Sequence, residues 1–152
     1  MIKIISKQTK KLTSINIKKI CLLKDAQWKH GIKSQLKWFK SNIKSNDSHN
    51  LFFIKNTLIG YTLLRKRTLR ITNKNLKYFL FDTLILKKKL RKKKLSTLMM
   101  YFNNNVIKKN QIMSLLICKK KQLYFYKKYG WKRISKKKFV ILDHHFNDYV
   151  MI

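Results

Sequence analysis

The chain of 152 residues has no proline and no glutamate, only three glycines and only two cysteines. Without a Gly-, Pro- or Ser-rich stretch between two compositions, and without a repeat of fixed period, a domain boundary has nothing to rest on, so one domain over 1–152 is expected. The cysteines, Cys21 and Cys118, lie far apart and lack metal-ligand spacing. That excludes a disulfide framework and a zinc site and fits a reducing cytoplasm. Lysines interrupt the apolar N-terminus before it reaches signal-peptide length, and no apolar run approaches the roughly eighteen residues of a membrane span. No segment is expected to cross a membrane.

What the chain has in excess is positive charge: 38 Lys and Arg against five Asp give a formal net charge of +33. Such a balance points towards nucleic acid, anionic lipid or acidic ligands. A second source is compositional: Lys, Ile, Asn, Leu and Phe are all abundant, as they are when A/T-rich codons fill tolerant surface positions. The basic residues are spread along the chain instead of gathered in one segment, and no helix-turn-helix or paired aromatic strand signature accompanies them. Apolar residues make up 45% and aromatics 12% of the chain, enough to fill a real core at this length.

Hydrophobic periodicity predicts a mixed α/β order of strand, helices, three-strand meander, helix, strand, helix, strand. Residues 1–22 hold two short Ile-rich pieces, either of which reads as a first strand. A helical stretch is then expected from Asp25, with Trp28, Ile32, Leu36, Phe39 and Ile43 on one face and Gly31 as a point of division. Asn46-Asp47-Ser48 closes it. Residues 51–54 and 58–64 read as a hairpin around Lys55-Asn56-Thr57, and a turn at 72–75 leads to a strand over 78–86. That run is apolar on both faces, which predicts the centre of the sheet. A helix follows from about Arg91 to Lys108, a short buried strand over 113–118, a helical turn or two over 124–129 ended by Gly130, and a last strand over 131–142.

Three features of this stretch bear on chemistry. Asp82 interrupts the apolar strand, and a carboxylate there needs a partner, a cleft or a proton. The basic turn Arg91-Lys92-Lys93-Lys94-Leu95-Ser96 opens a helix, whose first N–H groups are unsatisfied and favour an anion such as phosphate. Phe125-Tyr126-Lys127-Lys128-Tyr129-Gly130-Trp131 is an aromatic-Gly-aromatic corner. Taken in this order, the three resemble the GNAT superfamily of N-acyltransferases, in which an acid-bearing strand leads into an Arg-x-x-Gly-x-Gly/Ala turn and a Phe-Tyr-x-x-x-Gly-Phe corner follows one strand later. Lys94 and Ser96 stand where the family has its two small residues. The resemblance covers residues 51–134 well and the N-terminal third by element order alone.

The resemblance implies an α/β (α+β) fold with a mixed, mostly antiparallel sheet of about six strands flanked by helices. It also implies an acetyl-CoA-dependent N-acetyltransferase acting on a primary amine. Acetyl-CoA would be bound through backbone N–H groups of Lys92, Lys93, Lys94, Leu95 and Ser96 behind Arg91, with Leu84, Ile85 and Leu86 along the pantetheine arm and Lys119 within reach of a coenzyme phosphate. Asp82 is implied as general base, set against the plainer reading that it pairs with a Lys or Arg of a neighbouring strand. Tyr126 is implied as the acid beside sulfur, set against a place in an aromatic packing cluster. His30 and His49 flank the region where such a fold sets acceptor specificity and are candidate substrate contacts. The positive charge favours an anionic acceptor such as a nucleotide amino sugar.

No metal is expected, because the adjacent His144 and His145, with Asp143 and Asp148, lack a third and fourth ligand at metal spacing. A monomer or homodimer is expected. The rival readings are a non-catalytic basic nucleic-acid-binding protein and a degenerate acyltransferase fold that has lost its coenzyme.

Overall fold

The computed structural model describes residues 1–71, 74–91, 94–134 and 148–152. The chain runs β1 (Ile2–Gln8), α1 (Ser14–Trp28), α2 (Ile32–Asn42), β2 (Ser48–Ile54), β3 (Thr57–Ile71), β4 (Lys74–Leu86), α3 (Leu95–Asn110), β5 (Met113–Cys118), α4 (Leu123–Lys127) and β6 (Tyr149–Met151). The six strands form one sheet in sequence order. All neighbours are antiparallel except β4 and β5, which are parallel and joined through α3. The expected mixed sheet with β4 inside it is therefore present.

The N-terminal third differs from the expectation. Asp25 lies near the end of α1, whose start is fixed by the Thr13 hydroxyl accepting the Asn16 N–H at 3.2 Å. The second Ile-rich piece is helical because Ile20, Cys21, Leu23 and Lys24 recur at helical spacing and are all buried. Trp28 continues that row at the last residue of α1, where it is 43% exposed and borders a cavity. Gly31 does divide the helices: it adopts φ 82° ahead of α2, and its N–H donates to the Asp25 carboxylate at 2.7 Å. The expected last strand over 131–142 lies mostly outside the described residues; within them, Arg133 forms one bridge to Met151 and the pairing strand is β6.

The helices cover both faces of the sheet. Ile20, Cys21 and Leu23 of α1 and Phe39 of α2 pack on Leu51, Tyr61, Leu63 and Ile85. On the opposite face Met100 of α3 and Trp131 pack on Leu64, Phe79, Phe81, Leu116 and Met151, while Met99 meets Phe52, Ile59 and Leu86. Cys21 and Cys118 are free and buried. Among the described residues, no helix is long and apolar enough to cross a membrane.

Two irregularities of β4 position the site. Leu63 pairs with Thr83 and Leu64 with Phe81, so Asp82 is an extra residue, a β-bulge. Because side chains alternate with period two, the bulge inverts the strand's parity: Phe79 and Phe81 point towards α3, but so do Leu84 and Leu86, while Ile85 points towards α1. In addition, β4 and β5 pair only from Tyr78↔Met113 to Phe81↔Leu116, and β4 continues alone on that side to Leu86. The sheet splits at the bulge.

Candidate active site

The split opens two cavities, one on either side of β4. A cleft of ≈ 390 Å³ is lined by Leu84 and Leu86 of β4, Arg91 and Ser96 at the start of α3, Gln122, and Gln27 and Trp28 of α1. A second cavity of ≈ 510 Å³ is lined by Asp82 and Thr83 of β4, Lys24 and Trp28 of α1, His30, and Ser34, Gln35 and Trp38 of α2. Trp28 borders both, so the two spaces adjoin.

The first cleft has the features of an anion-ended channel. At the entrance to α3, Lys94 takes the left-handed conformation, φ 56° and ψ 3°, and supplies no side-chain cap. The left-handed turn that a glycine makes most easily is thus kept with a lysine in its place. Thr97 and Leu98 donate their N–H groups to the Lys94 carbonyl, and the N–H groups of Leu95 and Ser96 lie ahead of the helical ladder. Arg91 is tied into the chain, its Nε donating to the Leu86 carbonyl at 3.2 Å and its guanidinium to the Gln27 side chain. Arg91 therefore shapes the cleft wall, and the Leu86 carbonyl has a partner inside the chain. Lys92 and Lys93 lie outside the described residues. Leu95 packs into the core beside Met99, so its backbone alone faces the helix mouth.

Of the remaining candidates along the coenzyme path, Ile85 is buried towards α1, away from the cleft that Leu84 and Leu86 line. Lys119 is exposed, and its N–H donates to the Gln122 side chain at 3.2 Å; Gln122 is the one that borders the cleft. The aromatic corner folds as expected, with Gly130 at φ 89°. Tyr129 bonds the Thr97 hydroxyl at 2.8 Å, and its carbonyl accepts from Asn104 at 2.9 Å, fastening the corner to α3.

Tyr126 lies in an aromatic packing cluster and is not among the residues lining either cavity. Its ring packs edge-on against Phe81 at 6.2 Å and Phe125 at 5.2 Å. Burial, with a smaller contribution from nearby Cys118, pushes the phenol pKa up to about 12. Its hydroxyl has no hydrogen-bond partner among the described residues. Asp82 makes the pairing with a neighbouring strand: its carboxylate lies 3.5 Å from the Arg65 guanidinium of β3 and accepts from the Thr83 hydroxyl at 3.1 Å, and the residue borders the second cavity. The bulge places it at a cleft edge instead of in a desolvated core.

The histidines separate. His30 is exposed and lines the same cavity as Asp82. His49 does not: it is wholly buried, stacked between Phe39 and Tyr61, with Nε2 on the Thr9 hydroxyl at 2.8 Å and Nδ1 on the Tyr61 hydroxyl at 2.7 Å. A substrate contact by His49 is corrected to a core role, and desolvation lowers its pKa to about 4. No group of three or more His, Cys, Asp or Glu that could hold a metal is present among the described residues. His144, His145 and Asp143 lie outside them.

Sequence reasoning missed the residues that give the second cavity its character. Lys24 and Gln35 are buried, at 6% and 4% exposure, yet both border it. The Lys24 ammonium lies 3.5 Å from the Trp38 ring centroid and 5.9 Å from that of Trp28. Burial lowers the Lys24 pKa, with Asp82 acting in the opposite direction. A signal existed: Lys24 falls in the apolar row of Ile20 and Cys21, and Gln35 sits one turn before Phe39.

A six-stranded mixed sheet whose parallel strand pair parts at a bulge, with helices on both faces, is the GNAT-like α/β fold of solved N-acyltransferase structures. Solved structures carry the likeness over the whole length. An acyl-CoA N-acyltransferase from Pseudomonas aeruginosa superposes with a TM-score of 0.71 at 12% identity, over 99% of this chain and 98% of that one. A predicted acetyltransferase from Clostridium acetobutylicum, crystallised with acetyl-CoA, gives 0.70 at 17% identity over 96% and 100%. The PaiA N-acetyltransferase of Thermoplasma acidophilum, in complex with coenzyme A, gives 0.60 at 19% over 98% and 97%. No family model matches the chain, and no curated protein matches it by sequence.

Proposed function

We propose that the protein is an acyl-coenzyme A-dependent N-acyltransferase, with acetyl-CoA as donor and a primary amine as acceptor, built as one domain over 1–152. The observation that carries this reading is the adjacency of the two cavities across the free edge of β4. Similar folds crystallised with acetyl-CoA or coenzyme A support the choice of donor. The thioester arm would lie against Leu84 and Leu86, with its pyrophosphate at the N–H groups of Leu95 and Ser96. The acceptor would enter beside Asp82 and His30. Its nitrogen attacks the thioester carbonyl carbon, a C–N bond forms and the C–S bond breaks, giving an amide and the thiol of coenzyme A.

Asp82 takes the proton released by the acceptor ammonium, directly or through water, and a backbone N–H near Leu84 faces the developing oxyanion. Tyr126 serves the leaving sulfur as a hydrogen-bond donor. A phenol held at about 12 is a weaker acid than a thiol near 8.5. It stabilises the departing thiolate without giving up its proton, which sulfur then takes from solvent. The charge of +33 favours an acceptor with negative charge, of which a nucleotide amino sugar is one example.

Thermal melting with coenzyme A tests the reading first. At about a hundred times the dissociation constant the ligand adds about 2.7 kcal/mol to native stability, and no shift at millimolar coenzyme would reject a coenzyme site. Asp82→Asn is expected to lower turnover on the order of 10²-fold or more, with melting temperature little changed. Full turnover in Asp82→Asn or in Tyr126→Phe removes that residue from the chemistry.

A further inference from the structure

Lys24 and Gln35 are buried along most of their length, at 6% and 4% exposure, and their polar ends open into the cavity. Among the described residues, the ion pairs are Arg65–Asp82 and Arg67–Asp47, so no carboxylate pairs directly with the Lys24 ammonium, on which Asp82 acts from across the cavity. Neither the Lys24 ammonium nor the Gln35 amide has a hydrogen-bond partner there. The stem of Lys24 is enclosed and its ammonium rests on the Trp38 ring at 3.5 Å, so the remaining donor capacity of both side chains is directed to the cavity. Both side chains border the cavity that holds Asp82. Two donors, one of them charged, therefore face a space whose walls are the indoles of Trp28 and Trp38 and whose far edge carries an acceptor carboxylate.

We propose that this cavity is an amino-acid site. Lys24 and Gln35 donate to the ligand's carboxylate, Asp82 accepts from its amino group, and Trp28 and Trp38 cover an aromatic or large apolar side chain. The inference rests on the reading of Asp82 as the group that meets the acceptor amine. A carboxylate suits one ammonium and one amide, and the cavity of ≈ 510 Å³ admits a compact ligand of this kind. The lowered pKa of Lys24 agrees, since an anion beside it would restore the charged form that burial disfavours.

Calorimetric titration without any acyl donor tests the site apart from catalysis. The probes are L-phenylalanine, phenethylamine, which lacks the carboxylate, and 3-phenylpropionate, which lacks the amine. Phenylalanine is expected to bind at least tenfold more tightly than either. Lys24→Met and Gln35→Leu should each bring phenylalanine down towards the level of phenethylamine. Equal binding of phenylalanine and phenethylamine to the unaltered protein, or binding of neither, overturns the proposal. If Lys24→Met melts before the titration temperature, Gln35→Leu decides, and undiminished phenylalanine binding there overturns it as well. A coenzyme that fails to shift the melting temperature while phenylalanine still binds would end the acyltransfer reading and leave the amino-acid site standing.

Discussion

Against α1 and α2 the sheet buries Lys24, Gln35, Asp47 and His49, whereas against α3 and α4 it buries Phe79, Phe81, Met100, Leu116 and Trp131. The second face does hold polar side chains, Asn50, Thr62 and Asn103, which bond one another at 2.9 to 3.2 Å with, among the described residues, only the Asn103 Nδ2 of the three left unpaired and none of them open to a cavity. On the first face Asp47 and His49 are fully partnered, while Lys24 and Gln35 turn to a cavity. The contrast separates two uses of buried polarity. Asp47 and His49 hold the N-terminal helices to the sheet, and the unpartnered pair is kept for something that enters from outside.

Removing the Asp47 carboxylate should break the first face most severely. It accepts from Arg67 at 2.7 and 3.2 Å, from the Lys44 N–H at 2.9 Å and from the Lys66 N–H at 2.8 Å. Asp47→Ala would remove a fully buried carboxylate that partners the half-buried Arg67 guanidinium and two backbone N–H groups, and is expected to cost about 3–5 kcal/mol in urea unfolding. A loss below about 1 kcal/mol would mean that the pair contributes as little as a surface one.

Acid sharpens the same comparison. His49 titrates at about 4 in the fold and near 6.5 when unfolded. Between those values the unfolded chain binds the extra proton, so the contribution is complete above about pH 6.5 and is lost as pH falls through about 4. The window amounts to roughly 3 kcal/mol. His49→Gln should flatten that part of the stability-pH curve; an unchanged slope would place the acid sensitivity elsewhere.

The smallest effect concerns the opposite face. Lys94 holds φ 56° at the mouth of α3, and Lys94→Gly should relieve the side-chain strain and stabilise the fold by about 1 kcal/mol. A lower melting temperature would show that the lysine side chain contributes more than its backbone strain costs.

How much of this was legible differs between the same two faces. β4, α3, β5 and the corner around Gly130 followed from apolar periodicity, because Leu95, Met99 and Phe102 recur at helical spacing and Tyr78 to Leu86 is almost continuously apolar. Tertiary context decided the rest. Ile15, Ile17 and Ile20 read as strand by β-branching but sit in α1, where the period of burial overrides propensity. Asp82 stood out as an acid in an apolar strand, yet its bulge could not be seen without the β3 register. His49 read as a candidate substrate contact because its two hydroxyl partners, Thr9 and Tyr61, are distant in sequence. Lys24 was hidden among so many lysines that one more drew no notice, although its place in an apolar row distinguished it.

The bulge at Asp82 makes the count of residues along β4 as consequential as their chemistry. An unbulged strand that paired Asp82 with Leu63 would shift every later residue by one position, swing Leu84 and Leu86 out of the channel they line and drive Ile85 into their place. A strand that kept every important side chain would then address the wrong compartment. In a chain this rich in lysine, it is this offset of a single position that must be held fixed.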